Sequence, residues 1–427
     1  MSVALEGARS DKRLLILPGL FFLSPFLTAA VPRLTWLFLI LIAIALFVRA
    51  WRQGIVWREL IPLDATSLAV ILFAAYVTVN ATWAADRGGG FEKAALLWAL
   101  AIVTIAAGSA IAALDERQLR LAALGLGAGA ALGVAFLLIE LATGAVITRA
   151  VINSSSLLRP EKAKHVFMSN GFVKKMSLSE LNQNVTIVML SLWPATAALS
   201  LVTTGRRRIA FLVLLLLATA IAVLASQHQS SQVALILSLP AFGLAWLWRK
   251  GVIRALAVLW CLAFALVLPL DFAAFKGELH MARWLPDSAR ARVILWEYTA
   301  ERVLEHPWLG IGVDSTHALK KSGKLERPPG YVFPLSSGEH AHNLFLQTWY
   351  ELGFFGALLF AIAGAVAALR MLRLPPESQP FAAASFAAFL GIGAFAWGIW
   401  QTWFMCAIAL FVLYLRLATS APKAAAP

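Results

Sequence analysis

Twelve apolar runs separated by charged turns dominate this sequence, at roughly 14–31, 34–48, 65–84, 94–113, 121–141, 184–203, 209–226, 233–248, 252–270, 343–369, 381–399 and 404–419. A helix crosses the bilayer core with about 20 apolar residues, and about 17 is the lower limit, so the shorter runs are marginal. The chain of 427 residues is 60% hydrophobic and its mean hydropathy is +0.78. That leaves too little polar surface for a water-soluble protein of this size. The sequence therefore predicts an all-α integral membrane protein with about 12 transmembrane helices.

Net charge is +14, but the cations are dispersed between the apolar runs and form no separate basic domain, which argues against a nucleic-acid partner. The two cysteines, Cys261 and Cys406, both fall inside apolar runs and read as small buried hydrophobes rather than a disulfide or a metal site. Lys12 and Arg13 precede a long run without a small-residue cleavage pattern, so the first segment is expected to remain as an anchor.

The short loops orient the chain. Arg49, Arg52 and Arg58 share one side with Arg117 and Arg120, with Arg206, Arg207 and Arg208, with Arg249, Lys250 and Arg254, and with Arg370 and Arg373. Lys/Arg-rich short loops stay in the cytoplasm, which puts both termini there too. The expected divisions are 1–270, holding spans 1–9 and a basic periplasmic loop at 142–183; a large periplasmic loop at 271–341; and 342–427, holding spans 10–12 and a short tail. All seven histidines fall on the outer side.

The 142–183 loop carries Arg149, Arg159, Lys162, Lys164, Lys174 and Lys175 against Glu161 and Glu180. That composition fits a solvated or headgroup-binding loop, and equally an electrostatic collar for a phosphate-bearing lipid. In the larger loop, Asp287-Ser288 can cap a helix over Ser288 to Glu305, with Val293, Trp296, Ala300, Val303 and Leu304 at helical spacing. An amphipathic helix on or near the outer leaflet is expected there. His306-Pro307-Trp308-Leu309-Gly310-Ile311-Gly312 stops it, and 320–338 reads as a mobile connection.

That connection enters His340-Ala341-His342-Asn343. Asn343, Gln347 and Glu351 follow at four-residue spacing, which stacks them on one helical face. Polar groups are costly against lipid, so this face should line the bundle interior or a wet cavity. His342 is the candidate catalytic base, because an imidazole can accept an alcohol proton near neutral pH; the plainer role is an interfacial histidine. His340 is a candidate headgroup contact. Arg290 and Arg292 are candidates to hold a diphosphate, since a planar guanidinium suits it; the plainer role is the polar face of a surface helix, paired with Glu297 or Glu301. Outward carboxylates are scattered and no CxxC, HExxH or GxSxG pattern occurs, so no metal and no cofactor are expected.

His342-Asn343, nine residues, then Gly353-Phe354-Phe355-Gly356 resembles the signature of the O-antigen ligase and polymerase superfamily. Arg292-x-x-x-Trp296 followed by His306-Pro307-Trp308-Leu309-Gly310-Ile311-Gly312 is similar to the same family's upstream block. The resemblance implies a GT-C-like membrane glycosyltransferase of the bacterial inner membrane with its active site in the periplasm. It implies transfer of a glycan from undecaprenyl diphosphate, for the ligase branch onto lipid A–core, with membrane lipids around it. It implies that His342 is the base, with Asn343 beside it, and that Arg292 holds the diphosphate. The family's Ser-Arg pair is missing from Ser226 to Val233, where Gln232 stands for the arginine, and Arg159 is the expected substitute. An O-antigen polymerase, a protein O-oligosaccharyltransferase and, from another class, a lipid or sugar transporter are the alternatives.

Overall fold

The structure, a computed structural model, describes residues 15–154, 166–323 and 340–420. The helices are α1 (Ile16–Ala30), α2 (Thr35–Arg52), α3 (Ala65–Asn80), α4 (Arg87–Ala112), α5 (Glu116–Thr143), α6 (Val146–Ser154), α7 (Asn182–Val202), α8 (Gly205–Ala225), α9 (Gln229–Lys276), α10 (Asp287–Val303), α11 (Ser315–Lys321), α12 (Leu344–Arg370), α13 (Gln379–Phe395) and α14 (Thr402–Ser420). A two-stranded antiparallel hairpin, β1 (Val166–Ser169) and β2 (Phe172–Met176), lies between α6 and α7.

Among the described residues nine helices are long and apolar enough to cross a membrane, and α1 and α13 are shorter apolar helices. Each of the twelve apolar runs falls on one of these elements. The runs 233–248 and 252–270 are the two halves of the 48-residue α9, which breaks at Trp248, where the backbone leaves the helical region (φ −143°, ψ 64°).

The bundle is built around α7. Its best apolar window is 94% buried, and Trp193 and Leu190 sit in a core shared with α1, α5, α13 and α14. Helices attract one another in lipid through close van der Waals contact rather than a hydrophobic drive, so small residues mark the tightest crossings. On α5, Gly125, Gly129 and Gly133 form such a stripe against α1: a Cβ on Gly129 would lie 2.0 Å from the Phe22 carbonyl oxygen.

Two expectations are corrected here. The apolar side of α10, with Val293, Leu295, Ala300 and Val303 buried, packs against α9 and α12, so this face meets protein and not lipid. Cys261 is exposed on α9, while Cys406 is buried.

Two of the buried or capping carboxylates show how polar groups are accommodated. Glu140 is fully buried and accepts the Ile147 and Thr148 amides at 2.7 and 3.0 Å, capping α6. Asp86 caps α4 through the Gly89 amide, so Arg87 to Gly90 forms the first helical turn. The 142–183 loop has more structure than its composition suggests: Asn153 pairs with both backbone groups of Val173, fastening the hairpin to α6.

Candidate active site

Helix α12 begins where Asn343 caps it, the Asn343 Oδ1 accepting the Phe345 and Leu346 amides at 3.0 and 3.1 Å. Just before the cap, His342 takes a left-handed backbone (φ 53°), an uncommon state for a residue with a Cβ. That twist turns its ring toward the end of α13, where Nδ1 lies 2.7 Å from the Ala396 carbonyl oxygen. A carbonyl can only accept, so Nδ1 carries a proton, and in the neutral ring Nε2 carries the lone pair. The ring of His340 lies 4.2 Å from that of His342, centroid to centroid. His340 is buried over Gly398, where a Cβ would come within 2.8 Å of its ring.

Helix α10 supplies the next groups. Trp296 Nε1 donates to the Ala341 carbonyl at 2.8 Å, pinning the turn between the two histidines. Arg292, one helical turn earlier, is half-buried and carries no hydrogen bond or ion pair among the described residues. Burial draws its guanidinium below the usual arginine range. Its charge is felt across the cluster. Burial first, then the charges of Arg292 and His342, push His228 down to about 3. Burial, helped by His342, Lys320 and Arg292, holds His340 well below the ordinary imidazole range. Both rings are therefore neutral near pH 7.

Sequence reasoning misses His228 as a site residue. It caps the start of α9, with Nδ1 2.7 Å from Ser231 Oγ and its ring 5.6 Å from that of Trp397. The available signal is its place in Ser226-Gln227-His228, a polar interruption between two apolar runs. Gln232, standing where the family has arginine, donates to the Ser226 carbonyl at 3.1 Å and finishes α8.

The remaining sequence-derived candidates are placed as follows. Arg290 is engaged within its own segment, donating to the His280 carbonyl at 2.9 Å and pairing with Asp287 at 3.2 Å. Asn343 is the helix cap described above. Arg159 lies outside the described residues, as does the connection from 324 to 339. Among the described residues no group of three or more His, Cys, Asp or Glu could hold a metal ion.

Below the histidines α12 is not continuous. At Gly353 the backbone takes φ 66° and ψ −167°, a conformation open essentially to glycine alone. The break releases backbone groups that the segment Pro307–Gly312 captures. Ile311 and Gly312 amides donate to the Tyr350 and Glu351 carbonyls at 3.1 and 2.9 Å, and the Phe354 amide donates to the Pro307 carbonyl at 2.8 Å. From α3, Tyr76 Oη donates to the Leu352 carbonyl at 2.6 Å and Asn80 Nδ2 to the Leu309 carbonyl at 2.9 Å. Hence the His-Pro-Trp-Leu-Gly-Ile-Gly block is a strap laid into a broken helix. Gly353 lies directly against the strap's backbone: a Cβ there would lie 2.4 Å from the Trp308 carbonyl oxygen.

A cavity of about 320 Å³ lies at the other end of α12, between Asp64, Thr66, Arg370 and Arg416. None of the histidine cluster lines it, so the chemistry is assigned to the convergent polar groups and not to this hollow.

The fold defines a polytopic helical membrane protein, with the histidine cluster and Arg292 gathered at one end of the bundle. Residues 189–361 match the family model described as O-antigen ligase, and this segment holds α10, the strap, both histidines and Glu351. Relatives named polysaccharide ligase include one from Rickettsia conorii, 24% identical over 254 residues, covering 56% of this chain and 59% of the relative. One from Rickettsia felis is 24% identical over 254 residues, covering 57% and 60%. One from Rickettsia typhi is 30% identical over 135 residues, covering 30% and 32%. The chain thus spans about three fifths of the length of the first two.

Proposed function

We propose that this chain is a membrane glycosyltransferase that moves a glycan from undecaprenyl diphosphate to a sugar of lipid A–core, on the periplasmic face of the inner membrane. The acceptor oxygen attacks the anomeric carbon, the bond from that carbon to the diphosphate oxygen breaks, and the acceptor proton passes to His342 Nε2. A single displacement inverts the anomeric configuration. Arg292 holds the departing diphosphate, its permanent charge stabilising the negative charge that develops there, and no metal is required. Arg290, Arg159, His340 and Asn343 complete the proposed substrate contacts.

The observation that carries this reading is the 2.7 Å contact between His342 Nδ1 and the Ala396 carbonyl. It supports, for the neutral ring, the tautomer that leaves Nε2 basic, as a general base requires. The family match over 189–361 supports the reaction class. The proposed orientation is supported by the bundle's polarity: Arg49–Asp115 and Arg370–Asp64 pairs gather where the short basic loops lie, at the opposite end of α12 from His342.

The test is reconstitution of purified wild type and His342→Ala with undecaprenyl-diphosphate-linked glycan and lipid A–core in the presence of EDTA. Product from wild type only is the expected result. Full transfer by His342→Ala removes the base, extension of the lipid-linked glycan alone assigns the polymerase branch, and dependence on added metal overturns the metal-free scheme.

A further inference from the structure

Glu351 is fully buried in the first half of α12, where an unsupported carboxylate would be very costly. Three donors from three elements converge on it. The Thr316 amide of α11 reaches Oε1 at 3.1 Å, Gln347 Nε2 reaches Oε2 at 3.3 Å, and Trp400 Nε1 donates to the same Oε2. Gln347 in turn accepts the Ile399 amide at 3.1 Å. Trp400 and Ile399 belong to the turn between α13 and α14, and this turn begins at Ala396, whose backbone (φ −117°, ψ −83°) has left the helix. Ala396 is the residue that receives the His342 Nδ1 proton. The turn is also tied to α7 and α9, through Trp397 Nε1 to Thr186 Oγ1 at 2.9 Å and Ser230 Oγ to the Phe395 carbonyl at 2.7 Å.

We propose that Glu351 is a positioning residue: through Trp400 and Gln347 it holds the 396–401 turn in the place where the Ala396 carbonyl selects the His342 tautomer. The inference rests on His342 being the base. It gives a buried carboxylate that touches no reacting atom a defined part in catalysis, separate from the Thr316 bond that anchors the outer segment. All three Glu351 bonds need an oxygen acceptor. An amide at 351 must set its NH2 against either the Thr316 amide or the Trp400–Gln347 pair, so Glu351→Gln forces donor against donor. Trp400→Phe removes one bond and keeps the ring in place.

The experiment uses the intact chain in nanodiscs, labelled with 15N-histidine, with His342 assigned by the difference from His342→Ala. Wild type should show the Nδ1–H tautomer. Trp400→Phe should show a mixture of both tautomers and lose about tenfold in kcat, with KM for the lipid-linked donor within about twofold, as loss of a correctly presented base would give. Glu351→Gln should lose more, and it should cost less in the Trp400→Phe background than it does alone, because the two share the Trp400–Glu351 bond. Gln347→Leu, which cuts the Ile399 tie, is the second single variant and should also mix the tautomers. An unchanged tautomer and unchanged kcat in Trp400→Phe, or strictly additive losses, overturn the proposal. Wild-type turnover by His342→Ala would instead remove the base, while the tautomer signal still reports whether Glu351 holds the turn.

Discussion

Replacing Gly353 by alanine should be among the most damaging single-methyl changes in the protein. The conformation at 353 (φ 66°, ψ −167°) costs a residue with a Cβ about 1–3 kcal/mol. The new methyl would also lie 2.4 Å from the Trp308 carbonyl oxygen, 2.5 Å from the Leu309 nitrogen and 2.5 Å from the Gly310 nitrogen. These are backbone atoms, which cannot swing aside as a side chain can. Relief requires the strap to lift, loosening the Ile311–Tyr350, Gly312–Glu351 and Phe354–Pro307 bonds, each contributing about 1 kcal/mol. With strain and two lost bonds, a destabilisation of about 4 kcal/mol is expected. The assay is denaturant unfolding in detergent followed by tryptophan fluorescence, with Trp308 in the strap as an added local reporter. Gly243→Ala is the control, since nothing lies within 4 Å of where its methyl would sit on α9, and it should be neutral. Equal unfolding midpoints for the two variants would refute the strap argument.

Two further outcomes follow from other positions. Asp314 sits in the outer segment with a left-handed backbone (φ 55°), and burial pushes its carboxyl up to about 6 from an ordinary 3.8, against the pull of Lys93 and His317. Between those values the folded chain binds the proton more tightly than the unfolded chain, so this group's contribution falls as pH rises and stays unfavourable at neutral pH. Asp314→Asn, which tolerates the same backbone, should gain about 1–3 kcal/mol at pH 7 and flatten the stability profile between about pH 4 and 6; a loss of stability at pH 7 would contradict this. Gly129→Val should force α1 from α5, since the first atom added already meets the Phe22 carbonyl oxygen at 2.0 Å; an unchanged thermal midpoint in detergent would show that the crossing can yield.

The helices are legible because apolarity alone dictates a membrane span, and the twelve runs land on the apolar helices. The polar stripe is legible for the same reason inverted: Gln347 and Glu351, one turn apart, do bond each other at 3.3 Å. What the pattern hides is backbone geometry. Apolar residues run straight through Leu352-Gly353-Phe354, so nothing in hydropathy marks the break there; only the partner strap explains it, and that partner lies some forty residues upstream. The hairpin has a readable signal that the composition of its surroundings covers. Asn170-Gly171, both with positive φ, joins two short strand-like runs, a strong turn signal overshadowed by the neighbouring lysines. The role of α10 is misplaced by sequence because an amphipathic face looks the same whether it meets lipid or protein. Asn343, legible as part of a motif, proves to be a helix cap, and Arg290 proves to be engaged with His280 and Asp287.

The break at Gly353 also bears on how such a protein is made. It leaves 354–370 as a 17-residue helix of about 25 Å, close to the thickness that inserts on its own merits. Residues 344–352 form a stub of about 14 Å that cannot serve as a span and depends on the strap for its unpaired groups. In chain order the strap emerges before α12. A translocon therefore delivers the strap first, inserts the lower half of α12 by greasiness alone, and leaves the stub to be captured afterward. Membrane entry and completion of the histidine-bearing end become separate events, and a chain damaged in the strap should still reach the bilayer with its full set of spans, threaded but unfinished.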